Sequence, residues 1–308
     1  MRHLLFLFLT VAFFGCNNAP KSSVEQSATP AEPKDFERVL PPVMMTDIRE
    51  QADFRITHFW EHFNFKDTMY AHAPQITEQA FVDFIDVFQQ ASPEKIRESI
   101  ATLMKSAEAD SVMYAYFARE AEHYLYEPNS PYRNDEHFIP FLEQIVNSPI
   151  LDDAHKIRPR HILNLALKNR PGNKAENLEY TTAGGKTGNL YAVKAEYVLL
   201  MFYNPDCKQC QNTMEMMQNS AEITPLINNG TVKVLAVYPD EKVDIWKEHL
   251  KDVPANWLNG YDKPLIIREQ EIYDLKAIPT LYLLDRDKKV ILKDCSVEDI
   301  QAFFRNTP

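Results

Sequence analysis

Glycine is absent from Cys16 through Pro171, a run of 156 residues, whereas the final 137 residues hold six of the chain's seven. Glycine supplies the positive-φ turns, bulges and strand ends on which sheet proteins depend. A long stretch without it, carrying apolar residues at three- and four-residue spacing, folds most readily as helices alone. The return of glycine after Pro171 marks a change of architecture. With 308 residues the chain has length for about two domains. Its 45% apolar content suffices for real cores, and its net charge of −11 argues against nucleic acid as a partner.

The periodicity of the glycine-free region agrees. Phe81, Phe84, Ile85 and Phe88 share one helical face, and Ile96, Ile100, Leu103 and Met104 share another. Ser92 followed by Pro93 reads as an N-cap and first helical residue. Further helices are expected over 111–126, 135–147 and 152–169. The segment His58-Phe-Trp-Glu61-His62 matches the inverted zinc-protease pattern H-x-x-E-H. No third ligand follows it. The aromatic run Phe54, Phe59, Trp60, Phe63 and Phe65 reads as a packing face with histidines at its margin, so no metal site is expected.

Beyond residue 171 the pattern switches. Tyr197 to Tyr203 is an uninterrupted apolar run suited to a strand buried on both faces. A tight turn, Asn204-Pro205-Asp206, leads into Cys207-Lys208-Gln209-Cys210 and a helix. Strands are expected at 231–238, 280–285 and 289–292, a helix at about 244–250, and a last helix from a capping box at Ser296 and Asp299. Cysteines at i and i+3 on a first helical turn can close a disulfide. The first of them sits where free N–H groups favour a thiolate, the attacking species in exchange. Cys207 is therefore the attacking cysteine and Cys210 the resolving one. A structural disulfide and metal carriage are the alternatives. A haem attachment site would need histidine where Gln211 stands. Cys295 reads as a small buried residue.

The chain opens with Arg2 and an apolar stretch from Leu4 to Phe14, too short to span a bilayer and suited to export. Gly15-Cys16 resembles a lipobox of the looser kind seen in Bacteroidota lipoproteins, in which Cys16 is lipidated. A plain secretory signal with an incidental Cys16 is the alternative. Residues 17–34 are polar with three prolines and read as a tether. The expected organisation is a signal peptide at 1–15, a tether at 16–35, an all-helical domain of unknown function at 36–170 and an α/β domain at 171–308.

Residues 171–308 resemble the thioredoxin fold, and within it the TlpA/ResA-like extracytoplasmic thiol–disulfide oxidoreductases. The resemblance rests on Pro171-Gly172-Asn173-Lys174-Ala175, on Gly185-Lys186 before Leu190-Tyr191, on VLLMFYNPDCKQC and on Ile278-Pro279-TLYLLD. The whole layout is similar to Bacteroidota lipoproteins with a helical N-terminal domain of unknown function. The resemblance implies a central mixed sheet flanked by helices. It makes Pro279 a cis-proline facing the cysteines, lets the backbone of Ile278 hold a substrate peptide in strand-like fashion, and supplies electrons from a membrane thiol-relay protein. It requires no cofactor beyond the cysteine pair.

Two departures from the family stand out. Asp206 replaces the tryptophan often found before the first cysteine. Its charge opposes ionisation of Cys207 while Lys208 favours it, and its side chain can cap the helix, which predicts a reducing or mildly oxidising pair. Met201 occupies the place, six residues before Cys207, where thioredoxins keep a buried acid. Glu196 or another acid can substitute, and water is the other route for the Cys210 proton. The resulting expectation is a lipid-anchored periplasmic thiol–disulfide oxidoreductase, working in the reducing direction on a protein or small disulfide substrate. The alternative is a binding or assembly lipoprotein whose helical domain holds a partner, with the thioredoxin-like domain as a scaffold.

Overall fold

The computed structural model describes residues 34–307. The export signal, Cys16 and nearly all of the tether lie outside the described residues. Six helices come first: α1 (Ile48–His58), α2 (Pro74–Asp86), α3 (Pro93–Ala107), α4 (Ser111–Leu125), α5 (Asp135–Asn147) and α6 (Asp153–Ala166). Four of them begin at a carboxylate or amide that accepts a backbone N–H of the first turn: Asp47, Asp110, Asn134 and Asp152. Their apolar faces meet in one core built around Phe81, Phe84, Phe117, Phe138 and Phe141.

One local expectation needs correcting and two gain detail. Ser92 is the N-cap residue of α3, but its side chain makes no capping bond, because Asp53 engages both its N–H at 2.7 Å and its hydroxyl at 2.9 Å. Helix α6 stops at Ala166 rather than 169, where Asn169 turns into the left-handed region at φ 50°. Helix α1 ends at His58, so His58 and His62 do not share a helical face. His58 instead pairs with Glu61 at 2.9 Å, while Phe59, Trp60 and Phe63 enter the core.

The second half runs β1 (Glu179–Thr181), β2 (Thr187–Asn189), β3 (Tyr197–Phe202), α7 (Lys208–Gln218), α8 (Thr224–Asn228), β4 (Val232–Tyr238), α9 (Val243–Glu248), β5 (Leu258–Tyr261), α10 (Ile266–Glu269), β6 (Thr280–Leu284), β7 (Val290–Lys293) and α11 (Val297–Asn306). The strands form one mixed sheet in the order β2-β1-β5-β4-β3-β6-β7. Strands β3, β4 and β5 are parallel to one another, and β6 is antiparallel to β3. Side chains of β3 alternate between two cores. Leu199 and Met201 pack beneath α7 and α11, whereas Val198, Leu200 and Phe202 pack on the opposite face. That division explains why the strand reads as an unbroken apolar run.

The segment after α6 lies along the sheet edge. Gly172 donates to Val290, and Ala175 to Lys288, both at 2.8 Å. The last turn of the helical half is fastened to the same region. Lys293 Nζ donates to the carbonyls of Ala166 and Lys168 at 2.8 and 2.7 Å, and Asn169 Nδ2 donates to the Ile272 carbonyl at 2.7 Å. No helix among the described residues is long and apolar enough to cross a membrane.

Candidate active site

Strand β3 delivers the chain to the C-terminal edge of the sheet, and the turn 203–206 reverses it into α7. Asn204 shapes this turn: its Oδ1 accepts the Asp206 N–H at 3.0 Å and its carbonyl accepts the Cys207 N–H at 3.1 Å. Cys207 is itself the N-cap of α7, and its Sγ accepts the Cys210 N–H at 3.2 Å. That contact sets the sulfur against the free N–H groups of the helix N-terminus. Cys207 is half-buried, and Cys210, one turn on, is 1% exposed. Both are free thiols. Burial, reinforced by the neighbouring Cys207 sulfur, pushes the Cys210 thiol well above the ordinary cysteine range.

Across from the cysteines the Ile278–Pro279 bond is cis. The Cys207 Sγ donates to the Ile278 carbonyl at 3.5 Å, so the loop before β6 lies directly against the attacking sulfur. The structure therefore brings Cys207, Cys210, Ile278 and Pro279 together. Lys208 is exposed at the first position of α7.

Asp206 does not cap the helix, because Cys207 occupies the N-cap one residue later. Its carboxylate lies 3.6 Å from His249 Nε2, and Asp252 holds the other ring nitrogen of His249 at 2.7 Å. Met201 is fully buried. Glu196 does not replace an acid beneath the cysteines: it is exposed and precedes the first residue of β3, whereas Cys207 follows the last.

Beside Cys210 lies a neutral polar cluster. Tyr203 donates to Asn259 Oδ1 at 2.9 Å and accepts from Trp246 Nε1 at 2.9 Å. Burial pushes the Tyr203 hydroxyl up to about 12, so it stays protonated. Tyr203, Cys210, His249 and Asp252 also line a cavity of about 20 Å³, which is room for about one water. His249 and Asn259 carry no motif by which the sequence alone identifies them. The i, i+3 pair His249 and Asp252 is the one local hint.

Cys295 donates to the Leu281 carbonyl at 3.6 Å, and burial raises its thiol. Among the described residues no three His, Cys, Asp or Glu side chains gather as a metal site.

The family described as "Domain of unknown function (DUF5106)" matches residues 15–169, and the family described as "Thioredoxin-like" matches residues 195–290. A crystal structure of a thioredoxin-like protein from Bacteroides caccae is 42% identical, with a TM-score of 0.86 over 89% of this chain and 99% of that one. The C-terminal domain of an uncharacterized protein from Bacteroides fragilis is 44% identical, with a TM-score of 0.44 over 45% of this chain and 99% of its own. A domain of a possible thiol-disulfide isomerase from Cytophaga hutchinsonii is 26% identical, with a TM-score of 0.38 over 44% of this chain and 92% of its own. No curated protein matches the sequence.

Proposed function

The chain belongs to the thioredoxin-like proteins that carry an N-terminal DUF5106 domain, and on that premise we propose that it is a thiol–disulfide oxidoreductase acting through Cys207 and Cys210. One observation carries the reading. The attacking cysteine is half-buried at a helix N-terminus with its sulfur against the Ile278 backbone, while its partner is buried one turn behind. A purely structural pair would have no use for that asymmetry.

In the reducing direction the Cys207 thiolate attacks one sulfur of a substrate disulfide. The substrate S–S bond breaks, and its far sulfur leaves as a thiolate that takes up a proton. Cys210 then loses its proton and attacks Cys207 Sγ. The Cys207–substrate bond breaks, the second substrate thiol is released, and the pair ends as a disulfide. Two electrons have passed to the substrate. A dithiol donor restores the pair by the reverse exchange, and family resemblance makes that donor a membrane thiol-relay protein. The Gly15-Cys16 lipobox and polar tether support a lipid anchor on the periplasmic side.

The test is the reduction potential of the pair against glutathione, with Cys295 changed to serine. A value of about −250 mV or lower supports the reducing role, and one near −120 mV makes the protein an oxidant. In parallel, Cys210→Ser should accumulate a mixed disulfide on Cys207. A pair that never equilibrates with glutathione in the folded protein defeats the redox reading.

A further inference from the structure

A cavity of about 380 Å³ opens beside the Ile278 loop, and both halves of the chain wall it. Tyr126, just after α4, and Leu165, on α6, come from the helical half. Ile267, Leu275 and Ile278 come from the thioredoxin-like half. Ile278 belongs to the cavity and also accepts the Cys207 thiol at 3.5 Å. The cleft therefore begins at the residue against which the chemistry takes place.

Its far wall is held in place. Lys168 Nζ donates to the Glu271 carbonyl at 2.6 Å, and Asn169 Nδ2 to the Ile272 carbonyl at 2.7 Å. Lys276 Nζ sits 4.9 Å from the Tyr126 ring centroid. These bonds tie the helical half to the stretch that ends in Ile278. The volume lies at the small end of the range for binding pockets. Aliphatic and aromatic side chains share the walls with the carboxylates Asp240, Glu271 and Asp274 and with the cations Arg268 and Lys276. Lys276 Nζ lies 3.0 Å from Asp274 Oδ2 and Arg268 Nη1 3.6 Å from Asp240 Oδ1, and the extra carboxylate makes the cleft favour an apolar group over an anion.

We propose that the helical half supplies one wall of a specificity pocket, and that the occupant is an extended polypeptide with a bulky apolar residue flanking its disulfide-bonded cysteine. The inference rests on the redox reading and deepens it by naming the substrate class. A chain that pairs with the Ile278 backbone while its sulfur meets Cys207 sends one flank into this cleft. An apolar side chain there is desolvated against Tyr126 and Leu165, whereas a carboxylate loses hydration beside the like charges of Asp240, Glu271 and Asp274. The role assigned to the helical half is thus selection of substrate.

The experiment uses the full-length chain and three substrates: hydroxyethyl disulfide and two peptide disulfides of equal length, with phenylalanine or aspartate at the positions flanking the cysteine. The wild type should show a kcat/KM about tenfold or more higher for the phenylalanine peptide than for the aspartate peptide. Leu165→Trp, which fills the cleft, should lower the ratio of phenylalanine-peptide to hydroxyethyl-disulfide turnover by a similar factor. Equal rates for the two peptides in the wild type overturn the pocket without recourse to any variant. An unchanged ratio in a folded Leu165→Trp protein overturns the part given to the helical half. Failure to reduce any of the three, hydroxyethyl disulfide included, defeats the redox reading and this inference with it.

Discussion

Lys276 Nζ lies 3.0 Å from Asp135 Oδ1, with the two side chains only 2% and 6% exposed. Asp135 opens α5 in the helical half, and Lys276 stands two residues before Ile278. Asp274 at 3.0 Å and Asp294 at 3.5 Å complete the surroundings of the ammonium, and Lys293 reaches Asp135 Oδ2 at 2.8 Å. Burial works against ionising Asp135, yet Lys276 and Lys293 outweigh it and hold its carboxyl below the usual range. Burial likewise works against the charge on Lys276, and the three carboxylates outweigh it. A buried cluster of this kind adds little net stability over an apolar replacement, but it is intolerant of losing one member.

Lys276→Met should therefore destabilise the protein by about 3–5 kcal/mol, because three carboxylates lose their shared cation. Urea denaturation checks this. A loss under about 1 kcal/mol would mean that the cluster is solvated. Because Lys276 anchors the approach to Ile278, the same variant should also slow peptide-disulfide reduction more than hydroxyethyl-disulfide reduction.

Alkylation should discriminate the three described cysteines. Cys207 is half-buried at the N-terminus of α7, whereas burial raises the thiols of Cys210 and Cys295. Brief iodoacetamide treatment of the reduced protein near pH 7, followed by peptide mass spectrometry, should label Cys207 well ahead of the other two. Equal labelling of Cys210 would contradict the division into attacking and resolving sulfurs.

His249 is the expected acceptor of the Cys210 proton, through water. Met201 puts no acid six residues before Cys207, and the cavity lined by Cys210, His249 and Asp252 has room for about one water. Asp252 fixes the ring through Nδ1, which leaves Nε2 as the free nitrogen apart from its 3.6 Å approach to Asp206. His249→Gln should slow resolution of a preformed Cys207 mixed disulfide by about a hundredfold, the low end of the range for general-base assistance. Alkylation of Cys207 should change far less. A resolution rate equal to wild type in single-turnover quench experiments would remove His249 from the pathway.

What the sequence discloses follows the range of the interactions. Helices α2 and α3 are written in local apolar spacing, and the helices over 111–126, 135–147 and 152–169 are legible as further helical stretches. Strand β3 is legible as an apolar run, and the cysteine pair as an i, i+3 spacing. Strand β5 is not, because Leu258-Asn-Gly-Tyr261 is neither alternating nor continuously apolar; its place in the sheet comes from pairing with β4. Asp135 and Lys276 are 141 residues apart, and no local pattern announces a pair at that separation. Asp206 and Ser92 are both good capping residues whose side chains make no capping bond, for different reasons: Cys207 takes the N-cap of α7, and Asp53 engages the Ser92 hydroxyl.

Glu120, on α4, offers a test of the helical core by pH. Its side chain is 9% exposed. Burial raises its pKa above the ordinary 4.5, against the opposing hydrogen bond from Arg119. The folded chain thus keeps a proton that the unfolded chain loses from about pH 4.5 upward. The stability attached to that proton is fully present below this pH and is lost as pH rises through the folded value. Glu120→Gln fixes the neutral state and can still accept from Arg119. Thermal unfolding from pH 4 to 8 should show the variant melting above wild type at pH 7, with the gap closing as pH falls toward 4. A gap independent of pH, or a variant that melts lower at pH 7, would mean that the carboxylate is stabilised where it sits.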